Sequence, residues 1–148
     1  MKKLLPQANS LERVIDVFIY YGCRKNCSIQ DIASFCQFEV RQAQYYLNAA
    51  VYLDLLDENL QVTDFGKRML ENSSDIKRAV YERIIADDVI GNLFAHMILY
   101  PQDDPRVFGT SYLCSLFPEY GDAVIQRRLS TLIAWCKEVI EYVNNKRA

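Results

Sequence analysis

The chain has 148 residues, 51% of them hydrophobic and 24% charged, and a net charge of −2. That length and apolar content support a buried core and exclude a disordered chain, while the near-neutral charge lacks the global basic signature of a nucleic-acid binder and leaves only a local positive face for that role. Gly and Pro are scarce, at five and four residues, which favours a mainly α fold over a sheet-rich sandwich or barrel.

From Ser10, apolar residues at Leu11, Val14, Ile15, Phe18 and Ile19 return at helical spacing. They predict a first helix that stops near Gly22, before the polar Arg24-Lys25-Asn26 turn. Ser28 with Asp31 three places later reads as a capping box that opens a short second helix, with Ile32, Ala33, Phe35 and Cys36 on its buried side. A third helix begins near Glu39 and buries Val40, Ala43, Leu47, Ala50 and Val51, leaving Arg41, Gln42, Tyr45 and Asn48 on the opposite side. Residues 52–56 and 60–62 flank Asp57-Glu58-Asn59, the composition of a short β-hairpin, and Thr63-Asp64 caps a further helix through Phe65, Met69 and Leu70. Helix, helix, helix, hairpin, helix is the order of a winged helix-turn-helix unit, assigned to residues 1–72.

The polar break Asn72-Ser73-Ser74-Asp75 marks the boundary, and residues 73–148 are expected to form a second helix-turn-helix-like unit without a wing. A helical pattern through Ile76, Val80 and Ile84 is interrupted at Asp87-Asp88 and continues through Leu93 and Met97. Pro101 to Pro105 is a loop, Val107 to Phe117 a short helix, and Pro118 to Gly121 a turn. Asp122 then caps a long last helix through Leu129, Leu132, Cys136 and Val143. The pairs Tyr20-Tyr21 and Tyr45-Tyr46 are each expected to send one ring into the core and leave the other at the surface.

The third helix of a helix-turn-helix lies in the major groove, so its outer side must present donors and acceptors to base edges and phosphates. The candidate DNA-binding residues are therefore Arg41, Gln42, Tyr45 and Asn48 in the first unit, and Gln126, Arg127, Ser130 and Thr131 in the second. Arg suits guanine, Gln and Asn suit adenine, and hydroxyls suit phosphates. The same residues would also serve as an ordinary solvated helix face.

Residues 38–56, containing Arg41-Gln42-Ala43-Gln44-Tyr45-Tyr46-Leu47-Asn48-Ala49-Ala50, followed by Val62-Thr63-Asp64-Phe65-Gly66-Lys67, resemble a tandem winged-helix module associated with type II restriction endonucleases and related defence proteins. Residues 125–135, with Gln126-Arg127-Arg128-Leu129-Ser130-Thr131 and Trp135, resemble that module's closing helix. The resemblance implies double-stranded DNA as partner and a separate nuclease domain or subunit. Asp54 stands where the module has Gly after the third helix, so the geometry leading into the wing is expected to differ. No nuclease domain follows, which fits a free-standing relative or an excised fragment.

Catalytic readings have little to draw on, and no enzyme activity and no cofactor are expected. His96, the single histidine, lies on an apolar helical stretch and reads as structural. Asp75-Ile76-Lys77 has the spacing of a metal-nuclease Asp-x-Lys but opens a helix instead of ending a strand. Cys23 and Cys27 lack nearby partners to complete a zinc site. Cys23, Cys27, Cys36, Cys114 and Cys136 form an odd, scattered set that suits a reducing cytoplasm, and Cys36, Cys114 and Cys136 are expected to be buried in helices.

No run approaches the roughly 20 apolar residues of a membrane span, and Met1 to Pro6 is followed by polar Gln7, Asn9 and Ser10 instead of a signal-peptide core. The competing function is a protein-interaction module, with the last helix pairing in a homodimer.

Overall fold

The computed structural model describes residues 4–147. Among them are eight α-helices: α1 (Leu11–Gly22), α2 (Ile29–Cys36), α3 (Val40–Tyr52), α4 (Asp64–Glu71), α5 (Ile76–Ala86), α6 (Ile90–Leu99), α7 (Pro105–Leu116) and α8 (Asp122–Arg147). The fold is mainly α, and no helix among the described residues is long and apolar enough to cross a membrane. The chain divides into two compact units, one ending at Val80 and the other starting at Tyr81. The division falls inside α5, eight residues beyond the polar break at 72.

The first unit is built on α1, α2 and α3, which pack on one another, with α4 against α1. Leu11, Val14, Val17 and Phe18 of α1 are buried, as are Ala43, Leu47 and Ala50 of α3, the helix on which α1 packs. The alanines are fully buried and small enough to let the helix backbones approach closely.

Local chemistry sets the helix ends. The Ser28 hydroxyl accepts the Asp31 N–H at 3.1 Å while the Asp31 carboxylate accepts the Ser28 N–H at 2.9 Å, which completes the expected capping box. The Ser28 N–H on its carboxylate, followed by the Ser28 hydroxyl, holds the Asp31 carboxyl below its ordinary range. α2 ends with Gln37 in the left-handed region, where the Phe38 N–H donates to the Ala33 carbonyl at 2.8 Å and the Gln37 N–H to that of Ser34 at 3.4 Å, a Schellman closure.

The expected wing is corrected. Among the described residues there is no strand, and the hairpin is reduced to one antiparallel bridge between Leu56 and Val62. Two features account for this. Helix α3 continues through Tyr52, and Tyr52, Leu53, Leu55 and Leu56 are all buried, so the segment has no solvent side to alternate with. Asp54 then takes a φ of 62° and closes α3 in a second Schellman motif, with the Leu55 N–H on the Ala50 carbonyl and the Asp54 N–H on that of Val51, both at 3.0 Å. Beyond it, the Asp57 carboxylate accepts the Asn59 and Gln61 N–H groups and closes a tight turn.

Two residues of the Val62 to Gly66 segment have structural roles. Thr63 caps α4 by accepting the Gly66 N–H at 2.9 Å. A methyl group on Gly66 would press into the Leu55 carbonyl oxygen and the Phe18 ring, so this glycine is required by close approach.

In the second unit α6, α7 and α8 pack on one another. Asp87 accepts the N–H groups of Val89 and Ile90 and so starts α6 after the break in the helical pattern at 87–88. Trp135, Leu129, Leu132 and Phe117 are the heart of the core. α7 starts with Asp104 as cap and Pro105 in its first turn, two residues before the expected start at Val107.

Some sequence expectations change in this setting. Cys136 is buried, Cys36 is half-buried and Cys114 is exposed, so the expectation for Cys114 is corrected: it lies on the outer side of α7. Tyr46 enters the core while Tyr45 is half-buried, whereas Tyr20 and Tyr21 are both half-buried and neither ring of that pair enters the core. Tyr20 stacks on Phe35 at 3.9 Å. His96 stacks flat on Phe108 at 3.9 Å, with Nε2 3.6 Å from the Asp103 carboxylate. Asp75 closes a 3₁₀ turn and Lys77 pairs with Glu12 at 3.2 Å, so neither belongs to a strand.

Candidate nucleic-acid interface

Helix α3 follows α2 after the three-residue connection Gln37-Phe38-Glu39. Because Ala43, Tyr46, Leu47 and Ala50 are drawn into the core, 3.6-residue periodicity turns Arg41, Gln42 and Asn48 outward, and all three are exposed. Tyr45 is half-buried between them.

Two i, i+4 pairs organise this face. The Arg41 Nε donates to the Tyr45 hydroxyl at 2.7 Å with the guanidinium 5.7 Å from the ring centre, and the Gln44 amide donates to the Asn48 side-chain oxygen at 2.8 Å. Arg41 makes no ion pair among the described residues, and α3 has no acidic side chain from Val40 to Tyr52. The face can offer a cation, amide donors and acceptors, and a phenol from one rigid helix.

The second set of candidates separates. Arg127 is exposed and has no protein partner among the described residues. Gln126 and Ser130 are half-buried and already engaged: the Arg106 guanidinium donates from Nη1 to the Gln126 oxygen at 2.6 Å and from Nη2 to the Ser130 hydroxyl at 2.9 Å. The Gln126 amide donates in turn to Thr110 Oγ1 at 3.0 Å. Thr131 is 1% exposed, so its side chain belongs to the core and not to an outer face.

Arg106 is the residue that the sequence reading passed over. Its signal is the succession Asp104-Pro105-Arg106, since a cap followed by Pro at the first helical position puts Arg106 in the first turn of α7.

The family described as "Domain of unknown function (DUF7226)" matches residues 13–144. The chain belongs to this family. The DUF7226 match runs from the first turn of α1 almost to the end of α8, so the family's domain takes in both units and every residue of the candidate interface. No curated protein and no solved structure matches the chain.

Among the described residues no three His, Cys, Asp or Glu side chains come together as potential ligands. The Cys136 thiol is pushed up to about 12 by burial, which leaves it a packing group without nucleophilic character.

Proposed function

We propose that this DUF7226 protein binds double-stranded DNA, with α2 and α3 as a helix-turn-helix and α3 as its recognition helix. The observation that carries the reading is the outer face of α3, where Arg41, Gln42, Tyr45 and Asn48 project from a helix that is anchored on its other side and free of acidic residues. Arg and amide side chains at that spacing match base-edge and phosphate recognition in a major groove. The resemblance to restriction-associated modules supports the same reading and adds a separate nuclease as the protein that would act on the bound site. Arg127 of α8 supplies a second exposed cation, whereas Gln126 and Ser130 contribute only as part of the Arg106 cluster.

The test is duplex binding by the intact chain over a range of salt. Affinity should fall steeply as salt rises, because each phosphate neutralised releases counterions. The double variant Arg41→Glu, Arg127→Glu should lose binding while keeping its helical circular dichroism, since surface changes move stability by about 0.5 kcal/mol or less. Asp57→Ala, in the turn after α3, should bind at least as well as the parent. No duplex binding at low salt, or full binding by the double variant, refutes the proposal.

A second reading rests on a different feature of the second unit. Ile98, Leu99 and Tyr100 at the end of α6, with Val107 on α7, are 45%, 70%, 55% and 71% exposed. Exposed large apolar side chains on these two helices suit a protein-contact surface, and a second copy of the chain is the occupant tested. Sedimentation of the parent against Leu99→Ser distinguishes this reading: a dimer that dissociates on substitution supports it, and a monomeric parent removes the homodimer.

A further inference from the structure

We infer that Arg106 forms an oxyanion site in the second unit, which takes a phosphate group, with Gln126 and Ser130 as positioning residues. Only the assignment of that phosphate to a DNA backbone rests on the function proposed above.

The site follows from how α7 meets α8. A methyl group on Gly109 would collide with the Leu129 side chain, so the two helices are in close contact at that level. On α7, Arg106, Gly109 and Thr110 share one face at i, i+3 and i+4, and on α8 Gln126, Leu129 and Ser130 do the same. The Gly109–Leu129 contact therefore brings Arg106 and Thr110 against Gln126 and Ser130. The Ser130 hydroxyl donates to the Gln126 carbonyl at 2.9 Å, which leaves its oxygen lone pair to accept from Arg106.

What this cluster lacks is a negative charge. Arg106 is half-buried, yet it makes no ion pair among the described residues and both of its guanidinium bonds go to neutral oxygens. An arginine taken wholly out of solvent is ordinarily paired with a carboxylate, whereas Arg106, half-buried, is held among the described residues by neutral groups alone and keeps its charge available to an anion. The nearest acid in sequence, Asp104, is committed to capping α7 through the Arg106 backbone N–H at 2.9 Å.

A guanidinium has five donors in a planar fork. With one Nη1 and one Nη2 donor held by α8, the remaining N–H groups have no protein acceptor among the described residues and are presented in a fixed plane. This pre-ordered fork matches two oxygens of a phosphate, and the exposed Arg127 beside Gln126 adds positive potential.

Two measurements on the full chain test the site and separate it from the DNA proposal. In the first, inorganic phosphate is titrated into the protein and the Arg106 Nε–H resonance is followed by NMR. A saturable shift that disappears in Arg106→Gln establishes the site. The absence of a saturable shift in the parent, or its persistence in Arg106→Gln, overturns it whatever DNA does.

In the second, duplex affinity is measured against salt. Arg106→Gln should bind about tenfold more weakly, the effect of one charge-assisted hydrogen-bonding group, and the slope of log affinity against log salt should drop by about 0.9. Arg106→Lys keeps the charge and should keep the slope, but without the fork it should bind less tightly than the parent. An unchanged duplex slope in Arg106→Gln, alongside phosphate binding in the first measurement, assigns the site to a free or non-nucleic phosphate. Phosphate binding with no duplex binding by the parent leaves the site in place and removes the DNA proposal.

Discussion

The hydroxyl of Tyr21 donates to the carbonyl of Leu60 at 2.7 Å, across thirty-nine residues of sequence. It joins the end of α1 to the tight turn that replaces the expected wing. Leu60 itself is held at a φ of 61°, a conformation that a branched side chain adopts only when its surroundings enforce it.

Removing that hydroxyl in Tyr21→Phe should cost about 1 kcal/mol, the usual net worth of such a bond. Hydrogen exchange should speed up at Asp57, Leu60 and Gln61, whose amides belong to the turn, and remain unchanged in α8. Burial, together with the nearby Cys27 and Asp57, raises the Tyr21 pKa above its ordinary value. A raised folded value means that the contribution is complete below the unfolded tyrosine pKa and is lost as pH rises through the folded one. The stability difference between parent and Tyr21→Phe should therefore be flat at neutral pH and shrink only in the alkaline range.

Asp54 provides a test of the α3 closure. Its left-handed φ is one that Gly adopts without cost and that Asp tolerates better than most residues. Asp54→Gly should leave stability unchanged or raise it by up to about 1 kcal/mol, and Asp54→Val should lower it by about 1–2 kcal/mol. Chemical denaturation midpoints at constant slope measure both. A destabilised Asp54→Gly variant would show that the carboxylate contributes more than the backbone conformation costs.

The cysteines should separate by position in the fold. Cys23 and Cys114 are exposed, while Cys136 is buried with its thiol pushed up to about 12. Alkylation of the native protein near neutral pH, mapped by mass spectrometry, should modify Cys23 and Cys114 first and reach Cys136 only on unfolding. Because burial raises the Cys136 value, its contribution to stability is whole below the ordinary thiol pKa and declines as pH rises from there through about 12. Modification of Cys136 as fast as Cys114 would contradict its place in the core.

Helix positions were legible in the sequence wherever a local rule decides them. The Ser28 and Asp31 capping box, the break at Asp87, the connection before Pro105 and the start of α8 at Asp122 all depend on residues two to four apart. Such residues meet within one turn whatever the rest of the chain does, so their pattern carries the information. The outward face of α3 was readable for the same reason, since the apolar spacing of Ala43, Leu47 and Ala50 fixes which side is left for Arg41 and Asn48, although Val40, expected on the buried side, is 45% exposed.

Only tertiary packing decided the rest. Residues 52–56 and 60–62 have the composition of a hairpin, but burial of Leu53, Leu55 and Leu56 together, with the left-handed Asp54, leaves a single bridge. Thr131 has the same polar character as Ser130, and the rotation of α8 against its neighbours places one in the core and the other against Arg106. The Arg106 cluster lies between helices whose approach is set by Gly109 and Leu129, twenty residues apart in sequence. No period or motif encodes that separation, because it is the fit of two side-chain surfaces that brings the guanidinium to its partners.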